Sequence, residues 1–355
     1  MKSIIILVLL FTFQSLFASP LSNQDEITFF PTSASVVNGE KLWEFPIHDW
    51  VYEIEENSVS RQLGRKVIAE TLEIAGLNDH DTESKNFKER IKWFLVDNKG
   101  NKNVAIQLSK IRLEEAVLLN PTSVNGHAKS NIYLPFRKEL YAHRWVKIEA
   151  DSFMPQQHKV YGEVQLIPAY GLSVISDIDD TIKISEVLDK KKLLKNIFVA
   201  PYQTTRGFPE LYQRLKEKGA YFHYVSSSPW QLYPSLKTFM EKNYPKGTIT
   251  LRHFRLKDES FFKFFRSSQQ YKINKITAII KRYPKHHFIL IGDSGEHDPE
   301  IYAKIYRQFP RNIQSIWIRY VEGSHMSRQR LATDFKDIPR NIWTIFSSPN
   351  KRMLQ

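Results

Sequence analysis

Val174-Ile-Ser-Asp-Ile-Asp-Asp-Thr181 is an apolar run that ends on three carboxylates within four positions, Asp177, Asp179 and Asp180. Leu172 to Ser176 reads as a buried strand. Similar short runs, rich in β-branched and aromatic residues, recur at Tyr221 to Val225, Phe288 to Ile291 and Ser315 to Arg319. Between them, apolar positions at helical spacing cover 209–218 up to Gly219, 230–243, 273–283 up to Pro284, and 299–308 before Pro310. Strands alternating with helices predict an α/β domain built on a doubly wound parallel sheet. Ligands of such sheets bind beyond the carboxyl ends of the strands, so the residues just after each strand are the candidates for chemistry.

Those positions hold Asp177, Asp179 and Asp180 after the first strand, Ser226, Ser227 and Ser228 after the second, and Asp293, Ser294 and Asp298 after another. Carboxylates crowded at a buried strand end repel one another unless a cation neutralises them. Their hard oxygens suit Mg²⁺, which takes few protein carboxylates and completes its shell with water and substrate phosphate. Phosphate chemistry is the expected use. An aspartate can attack phosphorus and form an aspartyl-phosphate, which splits one difficult transfer into two easier steps. A second carboxylate two residues on can protonate the leaving alkoxide and then activate water. A metal ion offsets the repulsion between anionic nucleophile and anionic ester, while a lysine and a serine hold the phosphate oxygens.

These segments resemble the four motifs of the haloacid dehalogenase superfamily, in the family's order: Asp177-Ile-Asp179-Asp-Thr181, Ser226, Lys272 and Gly292-Asp293-Ser-Gly-Glu-His-Asp298. The resemblance implies Asp177 as nucleophile and metal ligand, and Asp179 as general acid and base with its backbone carbonyl on the metal. It implies Ser226 and Lys272 as phosphate-binding residues, and Asp293 and Asp298 in the Mg²⁺ shell. Ser176-Asp-Ile-Asp-Asp-Thr-Ile-Lys183, Tyr224-Val-Ser-Ser-Ser-Pro-Trp230 and Ile291-Gly-Asp-Ser-Gly-Glu-His-Asp-Pro-Glu300 are similar to the catalytic domain of the actin-patch-associated phosphatidate phosphatase family. That similarity covers residues 165–320, and residues 28–165 resemble the β domain that precedes it in bacterial members. What it implies is Mg²⁺-dependent hydrolysis of phosphatidate to diacylglycerol and phosphate, with a phospholipid substrate at an anionic membrane surface. The chain differs from cytoskeleton-linked members in showing no extended tail of interaction motifs, so no protein partner is expected.

Neighbouring residues receive other readings. Asp180 has no direct task in the reaction and reads as a structural residue. Thr181 reads as a contact of metal-shell water or as a cap, and Ser228 as the cap of the helix opening at Pro229. Lys275, three residues beyond Lys272 on the same helix, competes with it as the phosphate-binding lysine. His297 reads equally as a substrate contact, an acid-base helper or a histidine that fixes its loop, and Lys183, close behind the first motif, as a solvated lysine ahead of a phosphate contact.

At 355 residues two domains are expected, a β-rich domain over 24–168 and the α/β domain over 169–350. In the first, Lys41 to Ile47, Ile91 to Val96 and Arg144 to Ala150 read as antiparallel strands of a β-sandwich-like domain, with a turn at Asp97 to Asn101 and a helix over 60–75. Met1 to Ala18 has one cation and a short apolar run interrupted by Gln14 and Ser15, and reads as a secretory signal peptide rather than a membrane anchor. Export to a periplasm or beyond the cell is therefore expected. The absence of cysteine excludes disulfides, thiolate zinc sites and cysteine nucleophiles. The net charge of +13 is uneven, −3 over residues 20–170 and +15 over 171–355, which reads equally as an anionic partner for the second half or as a solubilising charged surface. Leu251 to Arg266 interleaves aromatics with cations, a pattern shared by lipid-inserting segments, nucleic-acid stacking surfaces and ordinary core packing. Beside a phosphatase site the lipid reading leads, and nucleic acid is not expected. Two alternatives stand beside phosphatidate hydrolysis: the same chemistry on a soluble phosphate ester, and a lipid- or protein-binding module with a vestigial phosphatase domain.

Overall fold

The computed structural model describes residues 18–37, 39, 41–54, 59–108, 116–136, 144–150, 159–254, 269–324, 330, 333–349 and 353. The chain forms two compact units, Met1–Ser58 with Val96–Ala169, and Val59–Leu95 with Tyr170–Gln355. Of the expected signal peptide, residues 1–17 lie outside the described residues. No helix among the described residues is long and apolar enough to cross a membrane.

The first unit holds β1 (Asp25–Phe30), β2 (Thr32–Val37), β3 (Leu42–Glu53), β4 (Asp97–Asn98), β5 (Ala105–Leu108), β6 (Val117–Leu118), β7 (His127–Pro135), β8 (Trp145–Ala150) and β9 (Tyr161–Leu166). Their path is β1-β3-β2-β9-β8-β5-β6, with β4 and β7 also paired to β3. Every pairing is antiparallel except β2 with β9. Period-two patterning does the sorting. Val146, Ile148 and Ala150 of β8 point inward between outer Lys147 and Glu149, and join Trp43, Phe45, Ile106 and Val164 in one core. β3 also buries Asp49, whose carboxylate oxygens have no hydrogen-bond partner among the described residues, and burial pushes its carboxyl up to about 8.

The second unit contains β10 (Tyr170–Ser176), β11 (Tyr221–Pro229), β12 (Thr248–Arg252), β13 (Lys285–Asp293), β14 (Ile313–Arg319) and β15 (Trp343–Phe346). They form one sheet, ordered β12-β11-β10-β13-β14-β15, and all its pairings are parallel. The unit is thus a mixed α/β structure on a parallel sheet. Val174 to Ser176 and Phe288 to Ile291 are buried, as strands covered on both faces must be. Chain order reverses at β10, with β11 on one side and β13 on the other. The crevice such a reversal leaves at the carboxyl ends is where the acidic residues emerge.

Helices of this unit are α1 (Val59–Ile74), α2 (Asp79–Glu83), α3 (Lys85–Ile91), α4 (Lys190–Phe198), α5 (Phe208–Glu217), α6 (Tyr233–Asn243), α7 (Gln269–Arg282) and α8 (Asp298–Gln308). The first three correct two expectations. Residues 59–95, expected inside the β-rich domain, pack with the α/β unit. Asn86 Nδ2 donates to Val199 O and Arg90 Nη1 to Ile197 O, each at 2.8 Å. These side chains satisfy carbonyls at the C-terminal end of α4 that the helix itself leaves unpaired. Ile91 to Val96, expected as a strand, instead ends α3 and continues into a 3-10 turn at Lys92–Phe94. Ser84 caps α3 at the Phe87 N–H, and Phe87 and Ile91, four residues apart, bury one helix face.

Candidate active site

Ser176 of β10 pairs with Ile291 of β13, so Asp177 and Asp293 leave the sheet side by side. Asp177 N donates to Ile291 O at 2.9 Å. Asp298, the first residue of α8, turns back and accepts a hydrogen bond from Asp293 N at 3.2 Å. That approach requires a glycine. A Cβ on Gly292 would collide with Asp298 Oδ2 and lie 2.7 Å from Tyr302 Cε2. Asp177, Asp293 and Asp298, all buried, each present an oxygen, and the three oxygens lie within 4.8 Å of one another.

Lys272 on α7 meets this cluster. Its Nζ lies 2.7 Å from Asp177 Oδ1, 2.9 Å from Glu296 Oε2 and 2.9 Å from Asp298 Oδ1. Burial would strip its proton, but the carboxylates more than offset this and hold the ammonium well above its usual range, Asp177 contributing most. Burial likewise pushes Asp177 and Asp293 well above the carboxylate range, with Lys272 drawing Asp177 back and Asp298 adding to the rise at Asp293. Asp293 Oδ1 accepts the N–H groups of Gly295 and Glu296 at 2.7 and 3.2 Å, and its Oδ2 accepts Thr181 Oγ1 at 3.3 Å. The Asp177 carboxylate accepts no hydrogen bond from the described residues and meets Lys272 only as an ion pair. One ammonium among four carboxylates leaves surplus negative charge around an unbonded Asp177 oxygen. All the free donors are hard oxygens, so these residues fit Mg²⁺.

Asp179 stands outside that cluster. Its Oδ1 lies 2.8 Å from Lys183 Nζ and accepts Ser185 Oγ at 2.7 Å, while its Oδ2 accepts Ser226 Oγ at 3.0 Å and Ser228 Oγ at 2.8 Å. Burial opposes ionisation, but Lys183 together with the Ser185 and Ser228 hydroxyls holds Asp179 below the usual carboxylate range. Two expectations are corrected. Lys183 is not solvated but 2% exposed, because its ammonium is matched by a buried carboxylate. Ser228 caps no helix, since the 3-10 turn at Trp230–Leu232 has no side-chain cap and the Ser228 hydroxyl goes to Asp179. Ser226 faces the same carboxylate.

Asp180 holds the following loop. It has φ 51°, and its carboxylate accepts the N–H groups of Ser185, Glu186 and Val187 at 2.9, 2.9 and 2.7 Å. The competing Lys275 is half-buried with its ammonium 5.4 Å from the Tyr271 ring centroid, whereas Lys272 shares the inward stripe of Ile276 and Ile280. His297 turns outward, its Nδ1 3.9 Å from Glu300 Oε1. Glu296 and Ser185 carry no expectation from the sequence. The signal for Glu296 was its place inside the fourth motif, three residues from Asp293. Of the aromatic-basic segment, Leu251 and Phe254 are buried, and residues 255–266 lie outside the described residues.

A parallel sheet whose chain order reverses at a strand ending on clustered carboxylates, with a buried lysine among them, defines an α/β protein with a cation- and phosphate-suited site. Residues 172–320 match the family described as phosphatidate phosphatase APP1, catalytic domain. Phosphatidate phosphatase APP1 of Saccharomyces cerevisiae is 32% identical over 259 residues, covering 70% of this chain and 42% of the yeast protein. An uncharacterised protein of Schizosaccharomyces pombe is 31% identical over 208 residues, covering 56% of this chain and 34% of its own length. The chain thus spans less than half of these relatives. A solved ferredoxin-NADP+ reductase from Plasmodium falciparum aligns over 84% of this chain and 95% of its own at 9% identity, but its TM-score of 0.19 is too low to inform the fold.

Proposed function

We propose that this protein is an exported phosphatidate phosphatase that hydrolyses phosphatidate to diacylglycerol and phosphate at an anionic membrane surface. The reaction is Mg²⁺-dependent and passes through an aspartyl-phosphate on Asp177. The observation that carries this reading is the convergence of Asp177, Asp293 and Asp298 oxygens to within 4.8 Å beside Lys272. On the same reading the α/β unit is a doubly wound, haloacid dehalogenase-like domain, supported by the reversal at β10, and the strand-rich unit is β-sandwich-like. The similarity to yeast phosphatidate phosphatase supports the choice of substrate.

Asp177 carboxylate attacks phosphorus and the ester P–O bond breaks, while Asp179 gives its proton to the departing alkoxide. Ser226 and Lys272 hold the phosphoryl oxygens. Ser226 must turn from Asp179 to do so, which removes one of four donors from that carboxyl and favours its protonated form. In the second step Asp179 takes a proton from water as the water oxygen attacks the phosphoryl group and Asp177 departs as carboxylate. Mg²⁺, held by Asp177, Asp293 and Asp298 with the Asp179 carbonyl, would neutralise the crowded charge and polarise the phosphoryl group.

The test is phosphate release from mixed detergent micelles of phosphatidate with Mg²⁺, for the wild-type protein and Asp177→Asn. The variant is expected to lose more than about a thousandfold in rate, and a chelator to silence the wild type. Equal rates in both proteins would remove Asp177 as nucleophile. Turnover of soluble esters alone, with no dependence on phosphatidate surface concentration, would remove the lipid substrate and leave the chemistry.

A further inference from the structure

The proposed reaction assigns no lysine to Asp179, yet the chain buries one against it. Lys183 is 2% exposed, its ammonium lies 2.8 Å from Asp179 Oδ1, and it also donates to Ser185 Oγ, whose own proton goes to the same Oδ1 at 2.7 Å. The two oxygens of Asp179 therefore have separate clamps, Lys183 with Ser185 on Oδ1, and Ser226 with Ser228 on Oδ2. The Oδ2 clamp is weakened when Ser226 turns to phosphate. The Oδ1 clamp has no such second duty.

Lys183 is itself held firmly. Its N–H donates to Ile178 O at 3.0 Å and its carbonyl accepts Asp180 N at 2.7 Å, closing the turn that carries Asp177 and Asp179. Its ammonium lies 5.1 Å from the Tyr202 ring centroid, and Tyr202 is fixed by the Arg90 guanidinium over its ring at 3.9 Å and by a bond from its hydroxyl to Ile197 O at 3.2 Å. A buried ion pair is a poor device for stability, since a well-packed apolar pair of similar volume is often as good. Its use is orientation. We propose that Lys183, assisted by Ser185, is a positioning residue that aims the Asp179 carboxyl at the leaving-group oxygen. This rests on the phosphatase reading above.

A leaving-group comparison tests it. Leaving-group release is followed in a single turnover for phosphatidate, whose alkoxide needs a proton to depart, and for 4-nitrophenyl phosphate, whose phenolate does not. Wild type, Asp177→Asn, Lys183→Met and Ser185→Ala are compared with Mg²⁺ present. Lys183→Met is expected to lose about a hundredfold or more on phosphatidate, within the usual range for general-acid catalysis, and less than about tenfold on the nitrophenyl ester. Ser185→Ala should show the same bias at smaller amplitude. Equal losses on both substrates overturn the proposal, because a generally loosened site has no reason to discriminate by leaving group. If Lys183→Met does not fold, Ser185→Ala, which keeps the ion pair, decides by the same ratio. If the wild type releases neither leaving group, or Asp177→Asn matches it, the phosphatase reading fails and the Lys183 proposal falls with it.

Discussion

Replacing Lys272 by alanine would leave three carboxylates facing one another without their shared cation. The ammonium lies between 2.7 and 2.9 Å from each. At such a distance a pair of unit charges attracts by about 6 kcal/mol before desolvation, taking an effective dielectric of about 20. Most of that gross figure is offset by the cost of drying the charges. The measurable loss on breaking a buried pair is about 3 to 5 kcal/mol, because the remaining anions are buried and uncompensated. For a unit of this size each kcal/mol moves the melting temperature by roughly 2–4 °C. Scanning calorimetry without divalent metal should therefore show the α/β unit of Lys272→Ala melting about 6 to 20 °C below wild type. Excess Mg²⁺ should recover part of the loss, since it binds the folded carboxylate cluster and not the unfolded chain. Lys275→Ala is the matched control: its ammonium lies over the Tyr271 ring, and the expected change is within about 0.5 kcal/mol. If Lys272→Ala melts with the wild type, or Lys275→Ala is equally damaging, the charge balance described for the site is wrong.

Two other substitutions probe different physics. Gly292→Ala places a Cβ against the Asp298 carboxylate and 2.7 Å from Tyr302 Cε2. The expected cost is about 1–3 kcal/mol of overpacking, together with a smaller Mg²⁺-induced rise in melting temperature than in wild type; an unchanged rise would show that Asp298 had not been displaced. In the strand-rich unit, burial raises Asp49 from its ordinary 3.8 to about 8. Between those values the folded chain keeps a proton that the unfolded chain has released, so this contribution to stability is full below about pH 3.8 and lost as pH rises through about 8. Asp49→Asn should match the wild type near pH 4 and exceed it near pH 9 by on the order of 5 kcal/mol. Parallel pH profiles of unfolding for the two proteins would refute the burial argument.

The parallel sheet was legible because its strands are continuous apolar runs that stop on acids or serines, a pattern set by covering both faces of a sheet. Strand β12 and helix α4 escaped notice, being short and lysine-marked or polar by turns. The placement of Asp177, Asp293 and Asp298 just beyond apolar strands followed from the same pattern. The choice between Lys272 and Lys275 did not, because residues three apart on a helix differ in facing by less than a sequence can resolve. It took the inward stripe of Ile276 and Ile280 to separate them. Lys183 was misread for a general reason. Lysines are almost never fully buried unless paired, and its partner Asp179 already had a task. Ile91 to Val96 was misread because bulky apolar runs suit a strand or a buried helix equally; Ser84, as a cap, marked the helix.

The return of residues 59–95 to the α/β unit bears on how this protein is made. Synthesis delivers α1, α2 and α3 first, roughly a hundred residues ahead of the strand β10 on which their unit is built. Phe87 and Ile91 have no sheet-bearing unit to join until that later stretch emerges, and the carbonyls of Ile197 and Val199 that Arg90 and Asn86 satisfy do not yet exist. The strand-rich unit likewise cannot close until the chain has passed Val96. Neither unit can finish folding as an uninterrupted stretch of nascent chain. A fragment beginning at Tyr170 would carry every residue assigned to the reaction and still lack the segment that seals α4, so it should emerge prone to aggregation however complete its chemistry looks on paper.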